Sequence, residues 1–238
     1  MEQLLGILAK VVFFAFIVGM FTLVIWVFVR SNKEDKRIRR AWAELPQVAV
    51  ARGWTYEQRA RGQATQYCGV GPMPGSGSNL SAWHYITGEF RGHSFKCFEH
   101  RYNSPMSGNA GERKRPTIEA IFMIALPGSG QPVEILRPGK TDVLLDRRPR
   151  MQLGITEFDD TFRVVTTKDE DFARGILSGS MTSFLLMDPR SRKSPLQLRD
   201  NELFTWYTGT LSRQDLEEKL NYLCDVRDQI PAQVWTGA

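Results

Sequence analysis

Cysteine and histidine are scarce in this chain, three of each among 238 residues. Cys68, Cys97 and Cys224 are odd in number and far apart. That spacing excludes the disulfide framework of a small secreted domain and suits a reducing compartment. No pair of Cys or His stands at zinc-finger or zinc-ribbon spacing. Also absent are a Gly-x-Ser-x-Gly nucleophile elbow, a phosphate-binding Gly-Lys-Ser/Thr, internal repeats and a low-complexity tail. Excess charge of one sign is confined to the amino end: positions 1–40 hold seven basic and three acidic residues, leaving 24 and 23 in the remainder. The net charge of +5 therefore sits mostly in that segment. A near-neutral remainder offers nucleic acid no electrostatic footprint.

What is present begins with nineteen residues, 11–29, that carry no charge, and fourteen of them are Val, Phe, Ile or Leu. As a helix they would extend about 28 Å, close to the hydrocarbon thickness of a bilayer. On an insertion scale the fourteen contribute about 4–8 kcal/mol. Lys10 can snorkel from the edge of such a span, and Trp26 and Phe28 fall where an aromatic belt would lie. A cleaved signal peptide would need a basic n-region and a small-x-small site before Arg30, and both are missing. A helix buried in a globular core would show a polar face, and none is seen. Arg30, Lys33, Lys36, Arg37, Arg39 and Arg40 follow immediately. Basic flanks stay cytoplasmic, so the sequence predicts a single-pass inner-membrane protein with its amino terminus outside and residues 30–238 in the cytosol. The same six residues could hold anionic lipid headgroups.

The domain organisation expected is a transmembrane anchor at 1–30, a basic juxtamembrane helical stalk at 31–53, and a soluble α+β domain at 54–238. In the stalk, Ile38, Trp42, Leu45 and Ala49 share a helical face, Pro46 should kink or divide it, and Gly53 should end it. The Gly- and Pro-rich segment 69–79 reads as a loop and linker. Alternating patterns predict strands over 83–90 and 94–102 around the turn at Arg91-Gly92-His93. A polar loop follows at 103–115, then strands at 117–126, ended by Pro127, and at 133–136. A strand at 161–167 precedes a helix opened by Asp169, Glu170 and Asp171 that stops before Pro189. A hairpin across Asp200-Asn201 should join 196–198 to 203–207. Ser212 and Asp215 resemble a capping box for a helix through Gln229, with Leu216, Leu220, Leu223 and Val226 as its apolar stripe. Strands first and helices later predict a mainly antiparallel sheet with packed helices.

Candidate chemistry is sparse. His84, His93, Cys97 and His100 lie close together in sequence and are candidate metal ligands; Cys97 beside a histidine could also form a thiolate pair. Strand alternation turns Cys97 and His100 to opposite faces, against convergence on one ion. Glu157, Asp159 and Asp160 could hold a cation or simply form a polar turn. Two basic clusters, Arg113 to Arg115 and Arg147 to Arg150, read as solvated loops or as a supplement to the membrane flank. No catalytic residue and no cofactor is indicated.

Several apolar positions carry a resemblance: Phe158-x-x-x-Phe162-x-Val164, Ala173 and Leu177, Phe184-Leu185-Leu186, Leu196-x-Leu198, Ile230-Pro231-x-x-Val234, and Ala51-Arg52-Gly53-Trp54. With the apolar amino end, this outline resembles the uncharacterised single-pass membrane proteins common in actinobacteria. More distantly it is similar to the DUF3137-type bacterial membrane-associated family. The resemblance implies a shared fold and supplies no catalytic residue. The reading from sequence is a membrane-anchored cytosolic scaffold or regulatory module of unknown partner, with the glycine-rich loop and the 103–115 loop as its candidate contact surface. Its alternative is a membrane-tethered enzyme or metal site in the His84–His100 region.

Overall fold

The structure is a computed structural model. It describes the backbone of residues 2–103, 116–137, 148, 150–166 and 170–235, and, of the first 31 side chains, those of 14, 16–26, 29 and 30. The chain divides into two compact units, Met1–Ala43 and Glu44–Ala238.

Helix α1 (Glu2–Ala51) is continuous through Pro46, where the sequence predicted an interruption. Leu45 and Ala49, fully buried on either side of that proline, fix the last turns to the second unit. The helix ends as Gly53 takes φ 69° and the Trp54 amide donates back to the Ala49 carbonyl at 2.8 Å. One expectation is corrected here. Among the described residues no helix is long and apolar enough to cross a membrane, which overturns the predicted transmembrane, single-pass anchor.

The second unit is α+β, with a fully antiparallel six-stranded sheet. Its strands are β1 (Thr55–Ala60), β2 (Ala82–Phe90), β3 (His93–Tyr102), β4 (Thr117–Leu136), β5 (Arg163–Thr166) and β6 (Leu196–Thr208). The twenty-residue β4 is the spine. β3 pairs with its first half and β5 with its last four residues. β6 lies along its other side, from Glu119↔Thr208 to Ile135↔Leu196. Two elements are longer than the sequence suggested. β4 continues through Pro127 and Pro132, because the register with β6 shifts there and a proline at an irregularity removes no ladder bond. β6 does not fold back at Asp200-Asn201; Asp200 takes φ 55° and the strand runs on.

Helices α2 (Thr156–Thr161), α3 (Glu170–Ile176), α4 (Gly179–Met187) and α5 (Arg213–Gln229) complete the unit. The helix expected to stop before Pro189 is split into α3 and α4 near Gly179, whose φ is 27°. Ser212 caps α5, its hydroxyl accepting from the Asp215 amide at 3.2 Å.

The two faces of the sheet are closed by different material. On one, Phe98, Ile121, Met123 and Phe204 pack against Tyr67, Val70 and Met73 of the segment between β1 and β2. Strand alternation turns Phe95, Cys97, Glu99 and Phe122 to the other face, where α5 lies across β4 and β6.

Candidate functional site

The β2–β3 hairpin carries the histidines. Its register shifts between Trp83↔Glu99 and Ile86↔Cys97. Within that irregularity, next to Tyr85, His84 takes the left-handed region at φ 50°. Its Nδ1 shares a 2.8 Å hydrogen bond with the Tyr56 hydroxyl, and burial, followed by the nearby Arg101 charge, lowers its pKa to about 4. His93 lies 3.2 Å from the Arg227 guanidinium; burial and then that charge lower it too. His100 stacks on Tyr102 with ring centroids 5.5 Å apart, and burial alone lowers its pKa. Each of these shifts favours the neutral imidazole. Cys97 is fully buried, and burial raises its thiol far above the usual range, so it is no nucleophile at neutral pH. Cys97 and His100 alternate to opposite faces of β3. Among the described residues no group of three or more His, Cys, Asp or Glu could hold a metal ion.

Other sequence candidates have structural partners. The glycine-rich loop is docked on the sheet rather than free. The Gly71 amide donates to Gln197 at 2.8 Å, Arg199 reaches the Cys68 carbonyl at 2.7 Å, and Val70 and Met73 are core residues. A Cβ on Gly71 would stand 2.6 Å from the Trp206 ring, so only glycine fits. Asp159 accepts from the Leu153 and Gly154 amides at 2.9 and 2.8 Å, which makes it a turn lock ahead of β5. Arg148 pairs with Glu134, and Arg150 reaches the Asp159 carbonyl. Most of the 103–115 loop, including Arg113, Lys114 and Arg115, lies outside the described residues, as does Arg147.

Two further features were not legible in sequence. An ion network ties the β2–β3 turn to α5: Arg91 pairs with Asp225 at 2.6 Å and Asp228 at 3.2 Å, and Arg190 bridges Asp188 and Asp225 at 2.6 and 2.8 Å. Burial pushes the Asp225 carboxyl up, but the hydrogen bonds from Arg91 and Arg190 outweigh it and hold the pKa below the usual value. A groove of about 720 Å³ opens between α4 and the end of α5, its lining including Phe184, Met187, Pro189 and Arg190.

Among the described residues α1 carries most of the exposed large apolar side chains. Phe14, Phe16, Phe21 and Trp26 are 58–70% exposed, with Leu23, Val24 and Ile25 beside them. The Thr22 hydroxyl donates to the Val18 and Gly19 carbonyls, so it presents no unmet donor within this stretch. The Arg30 guanidinium lies 5.2 Å over the Trp26 ring. It opens the series of exposed cations Arg30, Lys33, Lys36, Arg37, Arg39 and Arg40. Large apolar side chains left exposed in one continuous patch mark a contact surface.

No family model and no curated protein matches this chain. Among solved structures it is similar to the crystal structure of the mycobacterial trehalose monomycolate transport factor A, TtfA. The TM-score is 0.57 at 18% identity, covering 80% of this chain and 94% of that one. The likeness is one of fold. It does not bear on the DUF3137-type resemblance.

Proposed function

We propose that this chain is a binding and scaffold module working against an anionic lipid surface, on the cytoplasmic side of the inner membrane. The observation that carries the reading is the juncture on α1, where exposed Phe, Leu, Ile and Trp side chains run directly into six exposed cations. Apolar side chains favour acyl chains and the adjoining cations favour acidic headgroups, each worth about 1 kcal/mol near a charged surface. Seating one helix on lipid raises the effective concentration of the sheet unit toward other membrane-bound partners without new contacts. TtfA, whose fold this chain resembles, is a trehalose monomycolate transport factor. By extension, this chain serves as an accessory transport factor for a lipid of that kind.

The test is flotation of the full-length chain with phosphatidylglycerol-rich and with phosphatidylcholine vesicles, in wild type and with Arg30, Lys33, Lys36, Arg37, Arg39 and Arg40 changed to Gln. Binding should favour the acidic vesicles, weaken with salt and fall in the substituted chain. Binding indifferent to lipid charge, salt and these cations would overturn the reading and assign the apolar stretch to a protein partner. Crosslinking in native membranes, followed by identification of captured neighbours, then names the scaffolded protein.

A further inference from the structure

The free edge of the sheet ends in an unmatched guanidinium. Among the described residues β1 is the terminal strand, paired on one side only, with β2. Its register sets Arg59 opposite Trp83, and Trp83 stands opposite Glu99 on β3, so the three share one face. The Trp83 ring is sandwiched: the Arg59 and Arg101 guanidinium carbons each lie 4.6 Å from its centroid, one on the β1 side and one from β3. The inner end of this row is electrically complete. Arg101 donates to Glu99 from two nitrogens at 3.0 and 2.7 Å, and the other Glu99 oxygen accepts from the Leu211 amide at 2.9 Å. The outer end is not. Arg59 has the Ser81 hydroxyl at 3.2 Å as its hydrogen-bond partner and forms no ion pair among the described residues.

The irregularity at His84 sharpens this asymmetry. Glu57 pairs in register with Tyr85, whose ring lies against Phe98 on the opposite face, and among the described residues Glu57 forms no ion pair with Arg59. Charged residues on an edge strand commonly serve to discourage pairing, and a flexible lysine would do that. Arg59 instead lies on an aromatic platform and is held by Ser81. A fork fixed in this way is preorganised for a carboxylate.

We propose that β1 is a docking edge for an extended acidic segment of a protein partner. That segment adds as a further antiparallel strand and sets a Glu or Asp opposite Arg59. Main-chain hydrogen bonds along the open edge supply affinity, and the carboxylate completes the row Arg59, Trp83, Arg101. The proposal deepens the scaffold reading by naming the chemistry of the partner, and it does not depend on the lipid contact of α1.

The probe is a labelled strand-forming peptide, Thr-Glu-Val-Glu-Val-Glu-Thr, and its counterpart with Gln for Glu, titrated into the full-length chain. A cross-strand pair of opposite charge supports a preference of about fivefold for the Glu peptide. Bound peptide should slow amide exchange across Thr55–Ala60. Arg59→Ala should abolish the preference and Arg59→Glu should invert it, with circular dichroism melts showing both variants folded. Equal affinity of the two peptides, or unchanged exchange along β1, overturns the proposal. Arg59-dependent binding to phosphatidylglycerol vesicles without peptide binding also overturns it and assigns the guanidinium to a headgroup. None of these outcomes changes the flotation result expected from the cations of α1, so the two proposals fail separately.

Discussion

Between residues 14 and 29, α1 leaves Phe14, Phe16, Phe21, Leu23 and Trp26 more than half exposed, whereas α5 buries Leu216, Leu220, Leu223 and Val226 completely. The difference lies in periodicity rather than in apolar content. α5 spaces its leucines at intervals that fall on one face, and that face closes one side of the sheet. The α1 stretch has large side chains on every face, so a single packed neighbour could cover only part of it. One region buries its apolar surface within the sheet unit and the other leaves it exposed.

The sharpest way to break that contrast is to truncate a leucine in each region. Leu220→Ala should cost about 2–5 kcal/mol in urea unfolding of the sheet unit, because a fully buried side chain leaves a cavity. Acid should act on the same unit. The His84 pKa lies at about 4 in the fold against an ordinary 6.5, so the folded state binds fewer protons than the unfolded one. Its contribution is fully present above about 6.5 and is lost as pH falls toward 4; His93 and His100 shift in the same direction. The melting temperature should drop across that window. His84→Asn should drop less, since Asn tolerates the left-handed backbone and does not titrate. Ser212→Ala should cost about 1 kcal/mol by removing the α5 cap. Leu23→Ala should change stability by no more than about 0.5 kcal/mol while reducing vesicle binding. A large loss of stability there would show that the two regions are not distinct in kind.

The parts of the fold that were legible share a local signature. The β2–β3 hairpin was carried by alternation and a Gly92 turn, and α5 by its Ser212 cap and leucine stripe. β1 was missed because Thr-Tyr-Glu-Gln-Arg-Ala is a polar edge strand, five of its six residues exposed or half-exposed, without the pattern of a buried strand. β4 and β6 were cut short because Pro127, Pro132 and Asp200-Asn201 are ordinary terminators. Only the paired irregularity on the neighbouring strand, a tertiary fact, makes them tolerable. The loop 69–79 reads as a linker by composition, yet Val70 and Met73 lie in the core. The transmembrane expectation rested on counting uncharged residues, and the described helix does not meet the required length and apolarity. The contact candidates divide similarly. The basic flank is visible in composition, whereas Arg59 gains meaning only from the register that puts it beside Trp83.

β4 also dictates the order of events at the ribosome. Its apolar half, Thr-Ile-Glu-Ala-Ile-Phe-Met-Ile-Ala-Leu, emerges with β3 available on one flank. The flank that will receive β6 stays open until residues 196–208 have been synthesised. A nascent chain stalled in that interval displays a bare hydrophobic ribbon, the configuration that invites aggregation or a chaperone.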